Sequence, residues 1–133
     1  MNELGIGFVA YSPLSRGFLT GEIQKPEDFP EGDFRKDIPR FQGHQFHKNM
    51  ELVQAIQALA KARGVTASQI ALAWTIYKGT IPIPGTKRRK WLEENMAAAQ
   101  ITLSAEEVEA LEGIVPLGLH TGDRYDDMSA IDR

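Results

Sequence analysis

Two stretches of this chain read as β-strand, residues 4–11 and 80–84, and everything between them is loop or helix. Residues 4–11, Leu-Gly-Ile-Gly-Phe-Val-Ala-Tyr, form a short apolar run bounded by glycines and then by Ser12-Pro13, which reads as a buried strand ending in a loop. Thr80-Ile81-Pro82-Ile83-Pro84 is extended, because each proline pushes its predecessor out of the helical region and removes a ladder donor. Those prolines make it a poor central strand, so it reads as a short one. A parallel partner needs a crossover of about a dozen residues or more, and helical segments fill the interval. Two strands separated by helices therefore predict an α/β class with parallel pairing.

The intervening chain divides readily. Residues 22–47 are rich in Pro, Asp, Glu, Lys, Gly and Gln without helical or strand period, which reads as a long mobile loop of the kind kept for binding or for active-site lids. A disordered insertion is the competing reading. Asn49 can cap a helix whose apolar face runs through Leu52, Val53, Ile56, Leu59 and Ala60, stopped by Gly64. Thr66-Ala67-Ser68-Gln69 has capping-box form and opens a second helix with Ile70, Ala71, Trp74 and Tyr77 at helical spacing, until Gly79. Trp74 and Tyr77 read as core residues. A third helix over residues 88–99 has Leu92 and Met96 on one face. A fourth starts at Ser104-Ala105-Glu106-Glu107 and buries Val108, Leu111 and Val115 before Pro116. The tail, residues 117–133, has no usable period.

Charge narrows the function. Fifteen Lys and Arg against 18 Asp and Glu leave −3 overall, so a dedicated nucleic-acid binder is not expected and any basic site must be local. The absence of cysteine excludes a disulfide framework, a zinc ribbon and a thiol nucleophile, and fits a cytoplasmic protein. No apolar run approaches the roughly 20 residues of a membrane span. With 133 residues, one domain is the ceiling.

Chemistry concentrates at the two strand ends. Pro84-Gly85-Thr86 leads into four consecutive cations, Lys87, Arg88, Arg89 and Lys90, that open a helix. A helix N-terminus already carries partial positive charge, so cations there are unfavourable unless an anion such as phosphate sits among them. A solvated basic face, a nuclear-localisation-like run and a nucleic-acid patch compete with that reading. After the first strand, residues 11–21 supply the hydroxyls of Ser12 and Ser15, the cation Arg16, and Gly17 and Gly21, which let backbone approach a ligand. His44 and His47 lack a third metal ligand at supporting spacing, and no metal is expected.

Together these segments resemble one family. Tyr-Ser-Pro-Leu-Ser-Arg-Gly-Phe-Leu-Thr-Gly, then Ile-Pro-Gly-Thr-Lys-Arg, then Leu92-Glu93-Glu94-Asn95, look like the last two strand-loop segments of an aldo-keto reductase. Asp33-Phe34-Arg35 and Pro39-Arg40-Phe41 resemble the long mobile loop of the bacterial and plant members that reduce aldehydes and ketones. The resemblance implies a (β/α)8 TIM barrel binding NADPH in an extended pose. This chain would supply its C-terminal portion: two strand-helix units, the long loop and a C-terminal helix. By resemblance, Tyr11 stacks on the nicotinamide. Ser12, Leu14 and Gly17 lie along the pyrophosphate, with Ser15 and Arg16 as additions. Gly85, Thr86, Lys87 and Arg88 hold the adenosine 2′-phosphate, and Glu94 and Asn95 bind the adenine edge. Trp91 departs from the arginine that often grips the 2′-phosphate, a role Lys87 and Arg88 would assume. Barrel enzymes commonly bind phosphate with the loops after strands seven and eight and a helix N-terminus, which agrees.

The family's catalytic Asp, Tyr, Lys and His match no position here, and Tyr11, His44, His47 and His120 are not among them. Catalytic residues are therefore assigned to none of this chain. The expectation is the cofactor-holding part of an NADPH-dependent carbonyl reductase, acting on a small carbonyl substrate once the barrel is completed. The alternatives are a non-catalytic NADPH-binding or regulatory subunit and an inactive truncated product. Two strands cannot close a barrel, and their exposed edges invite a homo-oligomer or a complementing chain. Neither nucleic acid nor membrane is expected as a partner.

Overall fold

The computed structural model describes residues 2–114, 123 and 127–129. Its sheet is one parallel pair, β1 (Val9–Ala10) and β2 (Ile81–Pro82), in the register Val9 to Ile81 and Ala10 to Pro82. The Ile81 N–H donates to the Phe8 carbonyl at 2.8 Å and the Ile83 N–H to the Ala10 carbonyl at 3.3 Å. Pro82 and Pro84 alternate with these donors, so their missing N–H groups fall on the side of β2 away from β1. That is how a proline-bearing segment still pairs along one edge.

The strand reading of residues 4–11 needs correction. Asn2–Leu4 is a 3-10 turn, and only Val9–Ala10 is strand. Leu4, Ile6, Phe8 and Val9 are exposed rather than buried. The run is apolar enough for a buried strand, but the pair is two-stranded among the described residues, so no sheet neighbour covers its outer edge.

Residues 22–47 are also more structured than their composition suggests. They wind through three 3-10 turns, Pro26–Asp28, Phe34–Asp37 and Pro39–Phe41, and then enter α1 (Gly43–Arg63). Units of three or four residues are too short to leave a period in the sequence. Phe29, Ile38, Phe41 and Phe46 turn inward from this segment to meet Phe18, Met50 and Val53. Phe18 and Phe46 meet edge to face with centroids 5.3 Å apart, and Phe41 lies 5.2 Å from Phe18. Asn49 is therefore inside α1 rather than at its cap, and its amide donates to the Arg40 carbonyl at 3.0 Å, tying the helix to the preceding turn.

A second cluster joins α1 to α2 (Ala67–Tyr77) and α4 (Ala105–Ile114) through Ile56, Ala60, Ile70, Ala73, Leu103, Val108 and Leu111. Gly64, at φ 64°, ends α1 in a left-handed cap that donates back to the Ala60 and Lys61 carbonyls. Both capping boxes form: Gln69 N–H donates to Thr66 Oγ1 and Glu107 N–H to Ser104 Oγ, each at 3.2 Å. Trp74 is half-buried against this cluster, with its indole N–H donating to Glu112. Tyr77 is not core; it is half exposed at the end of α2. α3 (Arg89–Ala97) buries none of its side chains, and the face that carries Leu92 and Met96 is solvent-facing, with Met96 67% exposed. Val115, His120 and most of the tail lie outside the described residues.

Thr66 does double duty, since its hydroxyl caps α2 and also donates to Glu94 Oε1 on α3 at 2.9 Å. Thr66→Ala is expected to cost about 1 kcal/mol, the usual value of an N-cap side chain, read as a lower urea midpoint. Thr66→Ser, which keeps the hydroxyl, should recover most of it.

Candidate functional site

Ligands of parallel sheets gather at the carboxyl ends of the strands, and here both ends open into one cavity of about 790 Å3. One wall is the loop after β1, the other the loop after β2 with the first turns of α3, and the N-terminus of α2 contributes Thr66 and Ser68.

The loop after β1 has an unusual backbone. Ser12 (φ 53°), Ser15 (φ 48°) and Arg16 (φ 56°) occupy the left-handed region, and Gly17 follows at φ 89°. The N–H groups of Ser15, Arg16 and Gly17 are used within the loop, that of Ser15 donating to the Ser12 carbonyl at 2.9 Å. Local bonds hold the shape: the Arg16 N–H donates to Ser12 Oγ at 3.2 Å, the Gly17 N–H to the Leu14 carbonyl at 3.0 Å, and the Thr20 hydroxyl to the Gly17 carbonyl at 2.7 Å. Tyr11 at the rim is 64% exposed, leaving its ring available for stacking.

On the opposite wall, the Arg88 N–H donates to Thr86 Oγ1 at 3.2 Å as the chain turns into α3. The four cations then separate. Arg89 pairs with Glu93 one turn along at 2.7 Å, and Lys90 lies over the Trp91 ring at 4.3 Å. Lys87 and Arg88 are exposed, with no carboxylate partner among the described residues. Glu94 faces the cavity with its carboxylate fixed by Thr66 and its backbone carbonyl accepting from Gln69 Nε2 at 3.1 Å.

Eight of the residues singled out from sequence therefore line one cavity: Tyr11, Ser12, Leu14, Gly17, Gly85, Thr86, Glu94 and Asn95. Arg16 joins them, whereas Ser15, Lys87 and Arg88 do not line it. Lys90 and Trp91 do, as do Glu22, Thr66 and Ser68, which carried no site signal in the sequence. Thr66 and Ser68 were legible only as a helix start; that this start abuts α3 is a tertiary fact. His44 and His47 are exposed at the beginning of α1, away from the cavity lining. Among the described residues no helix is long and apolar enough to cross a membrane.

Behind the first wall, the Asp33 carboxylate accepts from the Arg35 guanidinium at 2.6–3.1 Å and from the Arg35 N–H at 2.9 Å. The guanidinium holds this carboxyl below its ordinary value of 3.8. A depressed carboxyl contributes stability above its unfolded value and loses it as pH falls through the folded one. The expected result is a carboxyl-carbon NMR titration of Asp33 with its midpoint below 3.8, moving upward in Arg35→Ala.

The Aldo/keto reductase family model matches residues 1–116. Aldo-keto reductase yakc (NADP(+)) of Schizosaccharomyces pombe is 46% identical over 125 residues, 92% of this chain and 37% of that protein. Aldo-keto reductase str7 of Strobilurus tenacellus is 43% identical over 131 residues, 97% of this chain and 39% of that protein. In fold, the chain matches the glycerol dehydrogenase AKR11B4 of Gluconobacter oxydans with a TM-score of 0.79 at 24% identity, over 92% of this chain and 38% of the other. The chain thus spans under two fifths of the length of these relatives. On the family match and these identities, the chain belongs to the aldo/keto reductase family.

Proposed function

We propose that this chain binds NADPH across its two strand-end loops and serves as the cofactor-holding part of an NADPH-dependent aldo-keto reductase. The observation that carries the reading is the single cavity lined from both loops, with Tyr11 at its rim and Glu94 and Asn95 on the α3 side. Its volume of about 790 Å3 falls within the roughly 300–1,000 Å3 of ordinary ligand pockets. The lining also suits a dinucleotide: an open aromatic ring for stacking, the cations Arg16 and Lys90 for its phosphates, and a carboxylate oriented by Thr66 that can accept from a base amine.

In this reading Tyr11 stacks on the nicotinamide and orients one of its faces. The Ser12–Gly17 backbone lies along the pyrophosphate. Gly85, Thr86, Lys87 and Arg88 meet the 2′-phosphate, the latter two by swinging long exposed side chains inward. Glu94 accepts from the adenine amine while Asn95 offers both a donor and an acceptor. Bound NADPH supplies hydride to a carbonyl carbon, and turnover belongs to an assembly in which further strands pair at the open edges of β1 and β2. Trp91 in the cavity wall supplies the test. Saturable quenching of its fluorescence by NADPH, lost in Trp91→Phe, is expected; no quenching at millimolar NADPH would contradict the reading.

A further inference from the structure

The left-handed residues of the loop after β1 carry strain, on the order of 1–3 kcal/mol each, and such strain persists only where the surroundings hold it. The bonds inside the loop are local. A strong contact reaches it from outside: Arg35 Nη1 donates to the Arg16 carbonyl at 2.8 Å. A Cβ added to the next residue, Gly17, would lie 3.3 Å from the same nitrogen, so guanidinium and loop are in close contact.

Arg35 is itself fixed on its remaining sides. Its Nε and Nη2 donate to the two Asp33 oxygens at 3.0 and 2.6 Å, and its guanidinium carbon lies 4.9 Å from the centre of the Phe29 ring. Phe29 is buried, 5.7 Å from Phe41 in the aromatic cluster. An uninterrupted path thus runs from the core through Phe29 and Arg35 to the backbone of the cavity wall. Arg35 does not line the cavity. The planar fork divides between Asp33, through Nε and Nη2, and the Arg16 carbonyl, through Nη1, an arrangement an ammonium cannot reproduce.

We infer that Arg35 is a positioning residue, held by Asp33 and Phe29, that sets the shape of the Ser12–Gly17 backbone against the dinucleotide's pyrophosphate. Through it, the 3-10 segment between that loop and α1 tunes cofactor affinity without touching the cofactor. The inference rests on the NADPH reading above.

The test uses the full chain with R35K and D33N, titrated with NADPH and with 2′,5′-ADP, which lacks the pyrophosphate and nicotinamide. Amide hydrogen exchange is followed over residues 15–20 and, as a control, over the buried turn Ile70–Ala73. R35K is expected to weaken NADPH by about tenfold, equivalent to about 1.4 kcal/mol. Its 2′,5′-ADP affinity should stay within about twofold, and exchange should accelerate at residues 15–20 alone. D33N should follow in the same direction. Equal weakening of both ligands with faster exchange in Ile70–Ala73 would reduce Arg35 to a general structural role and overturn the inference, as would unchanged NADPH affinity. If the wild-type chain binds neither ligand, the NADPH reading fails. Faster exchange at residues 15–20 in R35K then still supports the buttress, and unchanged exchange overturns it.

Discussion

Phe46→Ala is expected to lower the unfolding free energy by about 3–5 kcal/mol, the usual cost of truncating a fully buried phenylalanine. The Phe46 ring is completely buried where α1 begins, edge to face with Phe18 from the loop after β1, and shares its cluster with Phe29, Ile38 and Phe41 from the 3-10 segment. Truncation leaves a cavity at the junction of all three. Against a typical total of about 5–15 kcal/mol, the loss is a large fraction. Phe34→Ala is the control, because Phe34 belongs to the same segment but is 62% exposed; it should shift stability by no more than about 0.5 kcal/mol. Urea unfolding followed by circular dichroism separates the two. Equal, small effects would mean that residues 22–47 are not packed on the aromatic cluster.

The second large effect concerns binding. Lys87→Ala/Arg88→Ala is expected to weaken NADPH by about tenfold to a hundredfold and NADH by less than about twofold. Each charge-assisted contact to a phosphate contributes about 1.5–3 kcal/mol, reduced at exposed positions by solvent and salt. Both residues precede α3, where cations oppose the helix dipole. Their removal should therefore leave α3 as stable as before or slightly more so, by about 0.3–1 kcal/mol, and lost affinity could not be ascribed to unfolding. Lys90→Ala belongs in the same titration, since Lys90 lies in the cavity wall. A loss confined to Lys90→Ala would move the 2′-phosphate contact one turn into the helix. Equal effects of these variants on NADPH and NADH affinity, or no effect on either, would remove the 2′-phosphate from this loop.

Much of the helical architecture was legible because its signals are local. Thr66 with Gln69, Ser104 with Glu107, and the stop at Gly64 are encounters within a few residues, and each forms. The true start of α1 was hidden by Gly43 and two histidines, although Phe46, Met50 and Val53 already continue its buried face toward the N-terminus. What failed were inferences about burial. Tyr77 and residues 4–9 are apolar at the right spacing yet exposed, because burial depends on what lies opposite and the described sheet has only two strands. The cavity divides in the same way. Glycines and hydroxyls after each strand were visible as turn chemistry, and four of those residues, Ser12, Gly17, Gly85 and Thr86, converge on it. Thr66 and Ser68 arrive from a helix start whose neighbour is fixed only by packing. Arg35 reaches Arg16 across 19 positions, a contact no local pattern encodes.

The central claim is that one NADPH lies across both strand-end loops. Amide chemical-shift mapping of the wild-type chain during an NADPH titration tests it most directly. The expected result is a single saturating set of shifts at Ser12–Gly17, Gly85–Thr86 and Glu94–Asn95, with His44 and His47 unmoved. Shifts restricted to one loop, shifts centred elsewhere, or none at millimolar NADPH would contradict it.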